Sequence, residues 1–480
     1  MSSSENAQAK NQSRFSLFLF VGSLLIFVST LWKRVIHIDD VWLAEYSYWL
    51  AKLGYVKSEA MRGFYEAETK LYVYHKLFNI EGAWVIKFFG FHPYPLKAIS
   101  IVYLLLSGIL LVKIYRRSSL KPQLAFLLLA LFLSFFHTMN LGFTFRPEMH
   151  LVFWGLLSYL FLERYFDTSK FSELLIAGFV TGISIATHLN GVVFAGAGVL
   201  LLWCYRRWLA GFIFGVVATW GLIFQFTFDV RSLQELQQMF TQLTHWRDVA
   251  TGKYGWDLIF RVFEEQSRYL HSPPEIIYSL MLLLLIVPTR KYLWANHRRL
   301  VGYTLLLSFC IAEVTHGNNT NYLMYAFPFL VLISILAFEN LVAQGRKKLA
   351  WSAVLIFIFA SWAYNLQEFN TREFMAPEYA KVTEFLPSGS NVLSPAHLMF
   401  SGLDKFRIQS FITYRDKVEA GTLQQSADAL FAEAQKFNIQ YVVVDDGNAA
   451  FFRIKDIDYG PFRVMSDQPS EKFKIYKFMK

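Results

Sequence analysis

Cysteine is nearly missing from this chain: there are two in 480 residues, Cys204 and Cys310, far apart and each within or at the end of an apolar segment. That excludes a disulfide framework and a thiolate metal site. Charge is scarce too, at 17% of residues against a hydrophobic share of 55% and an aromatic share of 18%, so a soluble globular composition is excluded. The net charge of +10 does not point to nucleic acid, because Lys and Arg cluster between apolar runs and not along one face.

What is present is a succession of long apolar runs. The first, residues 15–32, is long enough to cross a bilayer and no small-residue cleavage pattern follows it, so it reads as a retained helix and not a signal peptide. Further runs fall near 96–115, 123–140, 147–164, 172–187, 189–205, 208–228, 275–289, 300–316, 321–341 and 349–365, which predicts about eleven crossings. Within 172–205, either half could instead be re-entrant. Basic residues fall in alternate connections, such as Arg116 and Arg117, Arg206 and Arg207, and Arg346 to Lys348. By the positive-inside rule these connections face the cytoplasm, together with a polar, disordered tail at 1–14. The predicted order is then a transmembrane domain over 15–366, with long outer loops at 37–95 and 229–274, and an extracytoplasmic domain over 367–480. The setting is the cell's inner membrane.

The outer loops hold the chemistry. Asp39 and Asp40 follow the first span directly, and Trp42, Leu43, Tyr46, Trp49, Leu50 and Leu53 then recur at the spacing of a helix lying flat in the headgroup region. One reading makes Asp39 a helix cap and Asp40 a first-turn charge. The other makes the pair functional, because ionisable groups held at that depth are costly. Leu233, Leu236, Phe240 and Leu243 mark a second outer helix. In the tail, 391–393, 440–445 and 473–478 read as strands and 426–437 as a helix, a small α/β unit in which the Asp445-Asp446-Gly447-Asn448 run reads as a turn and not an EF-hand loop.

On this topology the outer side gathers Asp39, Asp40, Glu66, Glu68, Arg146, Glu148, His188, His245, Arg247 and His316, with Lys33 and Arg34 beside the acidic pair. A carboxylate to take a proton from a hydroxyl, with cations or a metal to stabilise a departing phosphate, suffices for sugar transfer from a phosphate-activated donor. Each residue also has a plainer role: Arg146-Pro147-Glu148 suits a helix start, His188 suits a core, Lys33 and Arg34 suit snorkelling, and Glu66 and Glu68 suit a solvated loop.

The ordered set formed by Asp39 to Ala44, Gly54-Tyr55-Val56, Arg146 to Leu151, Gly178 to Gly182, Thr187 to Gly191, and Asn321-Tyr322 with Pro328 resembles the C-type glycosyltransferase superfamily. It is most similar to the bacterial relatives of dolichyl-phosphate-mannose protein mannosyltransferases and of the lipid A aminoarabinose transferase, over roughly residues 15–365. The resemblance implies a polytopic α-helical fold and inverting transfer of a hexosyl or pentosyl group. The donor would be a polyprenyl-phosphate-linked sugar among the membrane lipids, and the acceptor a glycan, lipid or protein. Carried over, Asp39 is the catalytic base or acceptor-positioning carboxylate and Asp40 its neighbour. Lys33, Arg34, Lys70, Arg146, His188 and Arg247 would hold donor phosphate, Glu148, His245, His316 and Tyr322 would complete the site, and Glu68, or Glu66, would hold a divalent metal ion. The chain departs from the pattern at Asp40, where Glu is usual, at Lys70-Leu71, where a Lys-Pro-Pro-Leu run is reduced, and at Asn321, where Arg often stands. A secondary transporter or lipid flippase is the rival reading. The chain lacks an internal repeat, however, and few charges lie within spans, Glu313 being the main one.

Overall fold

The computed structural model describes residues 3–119, 121–245, 257–315 and 319–479. Every predicted crossing is helical. Among the described residues, six segments are long and apolar enough to span a membrane: Asn11–Thr30, Pro93–Ser118, Trp208–Thr227, Pro273–Asn296, Thr320–Ala343 and Lys347–Phe385. Shorter apolar helices lie at Ala125–Ser134, Phe171–Thr187 and Leu189–Cys204. The helices Glu148–Thr168 and Arg298–Val314 complete the set. Two expectations need correction. The first helix, α1 (Ser3–Thr30), begins well before the apolar run and takes in most of the tail expected to be disordered. The 123–140 run breaks at Phe135, where Asn365 donates to the Ser134 carbonyl (2.8 Å) and Trp362 to its hydroxyl (3.2 Å). The side chains satisfy the Ser134 carbonyl, which the break releases from the helical ladder, and its buried hydroxyl.

The helix Leu323–Ala343 is buried nearly all round, so it is the axis of the bundle. Tyr159, Tyr303, Phe327, Phe329 and Leu332 pack there with negligible exposure. In lipid, such packing is driven by close contact and not by exclusion of water. The basic connections gather at one end, where Asp167 binds both Arg117 (2.8 Å) and Arg299 (2.5 Å).

The opposite end is roofed by short helices. Helix α2 (Ile38–Leu53) starts with a capping box in which His37 Nδ1 accepts from the Asp39 amide (3.2 Å) and the Asp40 carboxylate accepts from the His37 amide (2.7 Å). His37, not Asp39, is therefore the cap. Helix α3 (Lys76–Phe89) follows, and α4 (Leu233–His245) is the second predicted outer helix.

The C-terminal unit is a five-stranded sheet in the order β2-β1-β3-β5-β4. Its strands are β1 (Asn391–Ser394), β2 (Arg407–Ser410), β3 (Tyr441–Val444), β4 (Phe462–Val464) and β5 (Lys474–Phe478). The first three are parallel and the last two antiparallel. Residues 391–393, 441–444 and 474–478 match the expectation, whereas β2 and β4 were not foreseen. Asp445 caps the helix Asp446–Phe452 by accepting from the Asn448 amide (2.7 Å), so the Asp-Asp-Gly-Asn run is a helix start and not a turn. Alternate strand residues face opposite ways. Leu393, Val442, Val444 and Tyr476 pack under the unit's own helices. Val392, Ile408, Val443 and Ile475 share a core with Val41, Leu43, Ala60 and Met61 of the roof.

Candidate active site

Adjacent residues on a helix point about 100° apart, and this separates the two aspartates. Asp40 turns inward with no exposure; it receives the His37 and Phe145 amides and lies 3.4 Å from Lys97 Nζ. Its oxygens are occupied in holding α2 to the start of the next layer, so the expectation that Asp40 is a catalytic residue is corrected. Asp39 keeps 29% side-chain exposure and faces a cavity of about 180 Å³.

Five of the residues marked in the sequence meet at that cavity: Asp39, Arg146, Glu148, His188 and Tyr322. Arg146 sits between the two carboxylates. It binds Asp39 Oδ2, and its Nε lies 3.0 Å from each oxygen of the buried Glu148. Burial alone would lower the guanidinium's pKa; the Glu148 charge and hydrogen bond outweigh it, so Arg146 stays cationic. The backbone explains the placement, because Pro147 starts the helix and leaves Arg146 in the preceding loop with Glu148 in the first turn.

His188 lies in the turn after Phe171–Thr187, where its Nδ1 accepts from the Asn190 amide (2.9 Å). Burial, and then the charge of Arg146, push its pKa down to about 3, so the ring is neutral and its one donor is Nε2–H. His75 packs against it with ring centroids 4.6 Å apart, and burial lowers its pKa well below the usual value as well. Neutral His37 lies 3.3 Å from Asp39 Oδ2 and, with its pKa lowered by burial, makes no ion pair there.

The sequence reading did not single out His75, Tyr72, Tyr74 or Asn319, which also line the cavity. The Tyr-Val-Tyr-His run at 72–75, immediately before α3 begins at Lys76, was the available signal. His75 Nδ1 and the Tyr72 hydroxyl are buried without a hydrogen-bond partner among the described residues. Buried orphan polar atoms in a cavity wall mark a place for a ligand's polar groups.

Other marked residues lie elsewhere. Arg34 is buried away from the cavity, where it donates to the carbonyls of Met139 and Phe27 and lies over the rings of Phe27 and Phe369, so it is not placed to bind phosphate. Lys70 Nζ is spent on the Asp229 carbonyl (2.7 Å) and Glu235 (2.8 Å), which ties the two outer loops together and takes it out of the phosphate set. Glu68 accepts from the Gly63 amide (3.1 Å) and Glu66 from Gln238 (3.3 Å). Neither lines the cavity, and among the described residues no three His, Cys, Asp or Glu side chains gather to hold a metal ion. The implied divalent metal therefore does not fit at these two glutamates as they stand. Arg247 and His316 lie outside the described residues, as do the side chains of Lys33 and His245.

The dolichyl-phosphate-mannose-protein mannosyltransferase model matches residues 82–228. Among solved structures, ArnT from Cupriavidus metallidurans in the apo state superposes with a TM-score of 0.65 at 12% identity, covering 96% of this chain and 97% of that one. The fold is that of the C-type membrane glycosyltransferases. The same C-type architecture recurs in ArnT bound to undecaprenyl phosphate (TM-score 0.62, 13% identity, 96% and 97% covered). It recurs again in the Archaeoglobus fulgidus oligosaccharyltransferase in complex with zinc and sulfate (TM-score 0.56, 11% identity, 97% and 72% covered). No curated protein matches in sequence.

Proposed function

We propose that this chain transfers a hexosyl or pentosyl group from a polyprenyl-phosphate donor to an acceptor hydroxyl at the roofed end of the bundle. The observation that carries the reading is the placement of Asp39, a partly exposed carboxylate, in the same cavity as the doubly held guanidinium of Arg146. The undecaprenyl phosphate bound to ArnT, which shares the fold, supports a lipid-phosphate donor. The basic connections at the opposite end support an extracytoplasmic site.

In this reading Asp39 accepts the proton of the acceptor hydroxyl as its oxygen attacks the anomeric carbon. The bond from that carbon to the phosphate oxygen breaks on the opposite face, inverting the configuration, and the electron pair leaves on the polyprenyl phosphate. Arg146 takes up that charge, exchanging one carboxylate partner for phosphate, while the His188 Nε2–H adds a neutral hydrogen bond. One guanidinium between two carboxylates suits a monophosphate donor, with its single charge, better than a diphosphate.

Asp39→Asn retains the shape but cannot accept a proton, so transfer from a radiolabelled polyprenyl-phosphate sugar should be abolished with membrane insertion intact. Full activity in that variant refutes the catalytic role. For orientation, a Glu68→Cys chain should react with an impermeant maleimide from outside intact cells. Reaction only after lysis would place the site on the cytoplasmic side.

A further inference from the structure

A second concavity opens beside the active site, a groove of about 460 Å³ between α4 and the loop preceding the Tyr72–His75 wall. One side is a face of α4 presenting Gln234, Gln237, Gln238 and Thr241, and the other is the loop at Tyr65 and Glu66. These positions recur at three- and four-residue spacing, away from the apolar face of Leu233, Leu236 and Phe240, so α4 is polar toward the groove and apolar elsewhere. Gln234 and Gln237 are exposed, and neither side-chain amide hydrogen-bonds to another of the described residues.

The chemistry of the walls is selective. The lining is rich in amides, which offer a donor and an acceptor side by side, as vicinal hydroxyls require. It includes a part-exposed aromatic ring, Tyr65, and one carboxylate, Glu66, and among the described residues no cation lines it; neighbouring Lys70 is bound to Glu235 and the Asp229 carbonyl. Among the described residues lining it, a phosphate-rich ligand finds no counter-charge, and an extended peptide neither a free strand edge nor apolar side-chain pockets. Tyr65 and Glu66 both hold left-handed backbone conformations, with φ of 49° and 57°. Two consecutive non-glycine residues in that region persist only where surrounding contacts impose them. Here Gln242 imposes them, donating to the carbonyls of Tyr65 (2.9 Å) and Lys70 (3.0 Å) while its own carbonyl accepts from the Tyr72 amide (2.9 Å). One buried side chain thus ties the groove wall to the cavity wall.

On the transferase reading above, on which this step rests, we infer that the groove binds the acceptor as a neutral glycan. Two or more sugar units lie along the glutamine face, and the Gln242-braced segment continues from there to the cavity. The acceptor is then a polymer or glycolipid carrying uncharged hexose units, held by its hydroxyls along the amides of Gln234 and Gln237.

Saturation-transfer NMR on the full chain in lipid nanodiscs tests this with neutral mannotetraose and chitotetraose as probes. At least one should receive saturation from the unaltered protein. The doubly substituted Gln234→Ala/Gln237→Ala chain, changed only at exposed positions, should bind it about tenfold more weakly or worse. Absence of saturation for both probes overturns the inference, as does undiminished binding by the double variant or saturation of an unglycosylated envelope peptide displaced by those substitutions. The readout needs no donor: glycan binding without donor turnover sinks the transferase reading while sustaining the groove's ligand class, and donor turnover without glycan binding sinks the groove alone.

Discussion

His188 makes acid sensitivity a calculable property of the site end. Its ring holds a pKa of about 3 in the folded chain because burial, and then Arg146, oppose its charge. The unfolded ring titrates near 6.5. A base with a depressed folded pKa leaves the unfolded chain binding the extra proton, so stability is complete above the unfolded pKa and is lost as pH falls from about 6.5 toward 3. At pH 5 the unfolded ring gains about 2 kcal/mol from protonation and the folded ring almost nothing. That loss depends only on the unfolded value while the folded one stays well below 5. His188→Asn removes the titration but retains a side chain able to cap the Asn190 amide. SDS unfolding titrations of the purified protein at pH 7.5 and pH 5 should therefore show the unaltered chain losing about 2 kcal/mol more than the variant across that interval. Equal losses would mean that the folded ring protonates freely, and the neutral Nε2–H donor assigned to it would fall.

Arg146→Gln strands the buried Glu148 carboxylate and should cost about 3–5 kcal/mol in the same titration; adding Glu148→Gln should recover much of that, and no recovery would refute the charge argument. Arg146→Lys should insert normally but transfer sugar far more slowly, since an ammonium cannot hold Glu148 bidentately and reach a phosphate as well, as initial rates would show. Gly63 adopts φ +77°, and a Cβ there would lie 2.2 Å from the Phe437 ring, so Gly63→Ala should destabilise the chain by about 2 kcal/mol and raise cleavage of the 58–70 loop under limited proteolysis.

The long apolar helices, the helix at 38–53 and three of the five strands were legible because apolar periodicity records which faces avoid water. Strand β2 was not, since Arg407 and Gln409 give it too polar a look for a buried strand; Gln409 is tolerated inside because it donates to the Arg62 carbonyl (2.7 Å) and accepts from the Tyr414 hydroxyl (3.0 Å). In the site, sequence located the Asp39-Asp40 pair but not which member turns toward the cavity, a matter decided by the His37 cap and by Lys97, fifty-seven positions on. Arg34 looked like a lipid-facing cation because its position by a span end was visible and the rings of Phe27 and Phe369 around it were not. His75 ended an aromatic run that sequence alone could not assign, and the packing of its ring against His188 gives it a role.

The sheet of the C-terminal unit is finished on one face by its own helices and on the other by the roof. The strand edge goes further: the Ser410 amide (3.0 Å) and Thr413 hydroxyl (2.6 Å) both donate to the Ala60 carbonyl, and Gln409 grips Arg62. The last hundred residues are thus a splint for the loop that carries Tyr65 and Glu66. A chimaera that exchanges this tail between related chains must bring residues 58–70 with it, and inherited changes in the two stretches should travel as pairs.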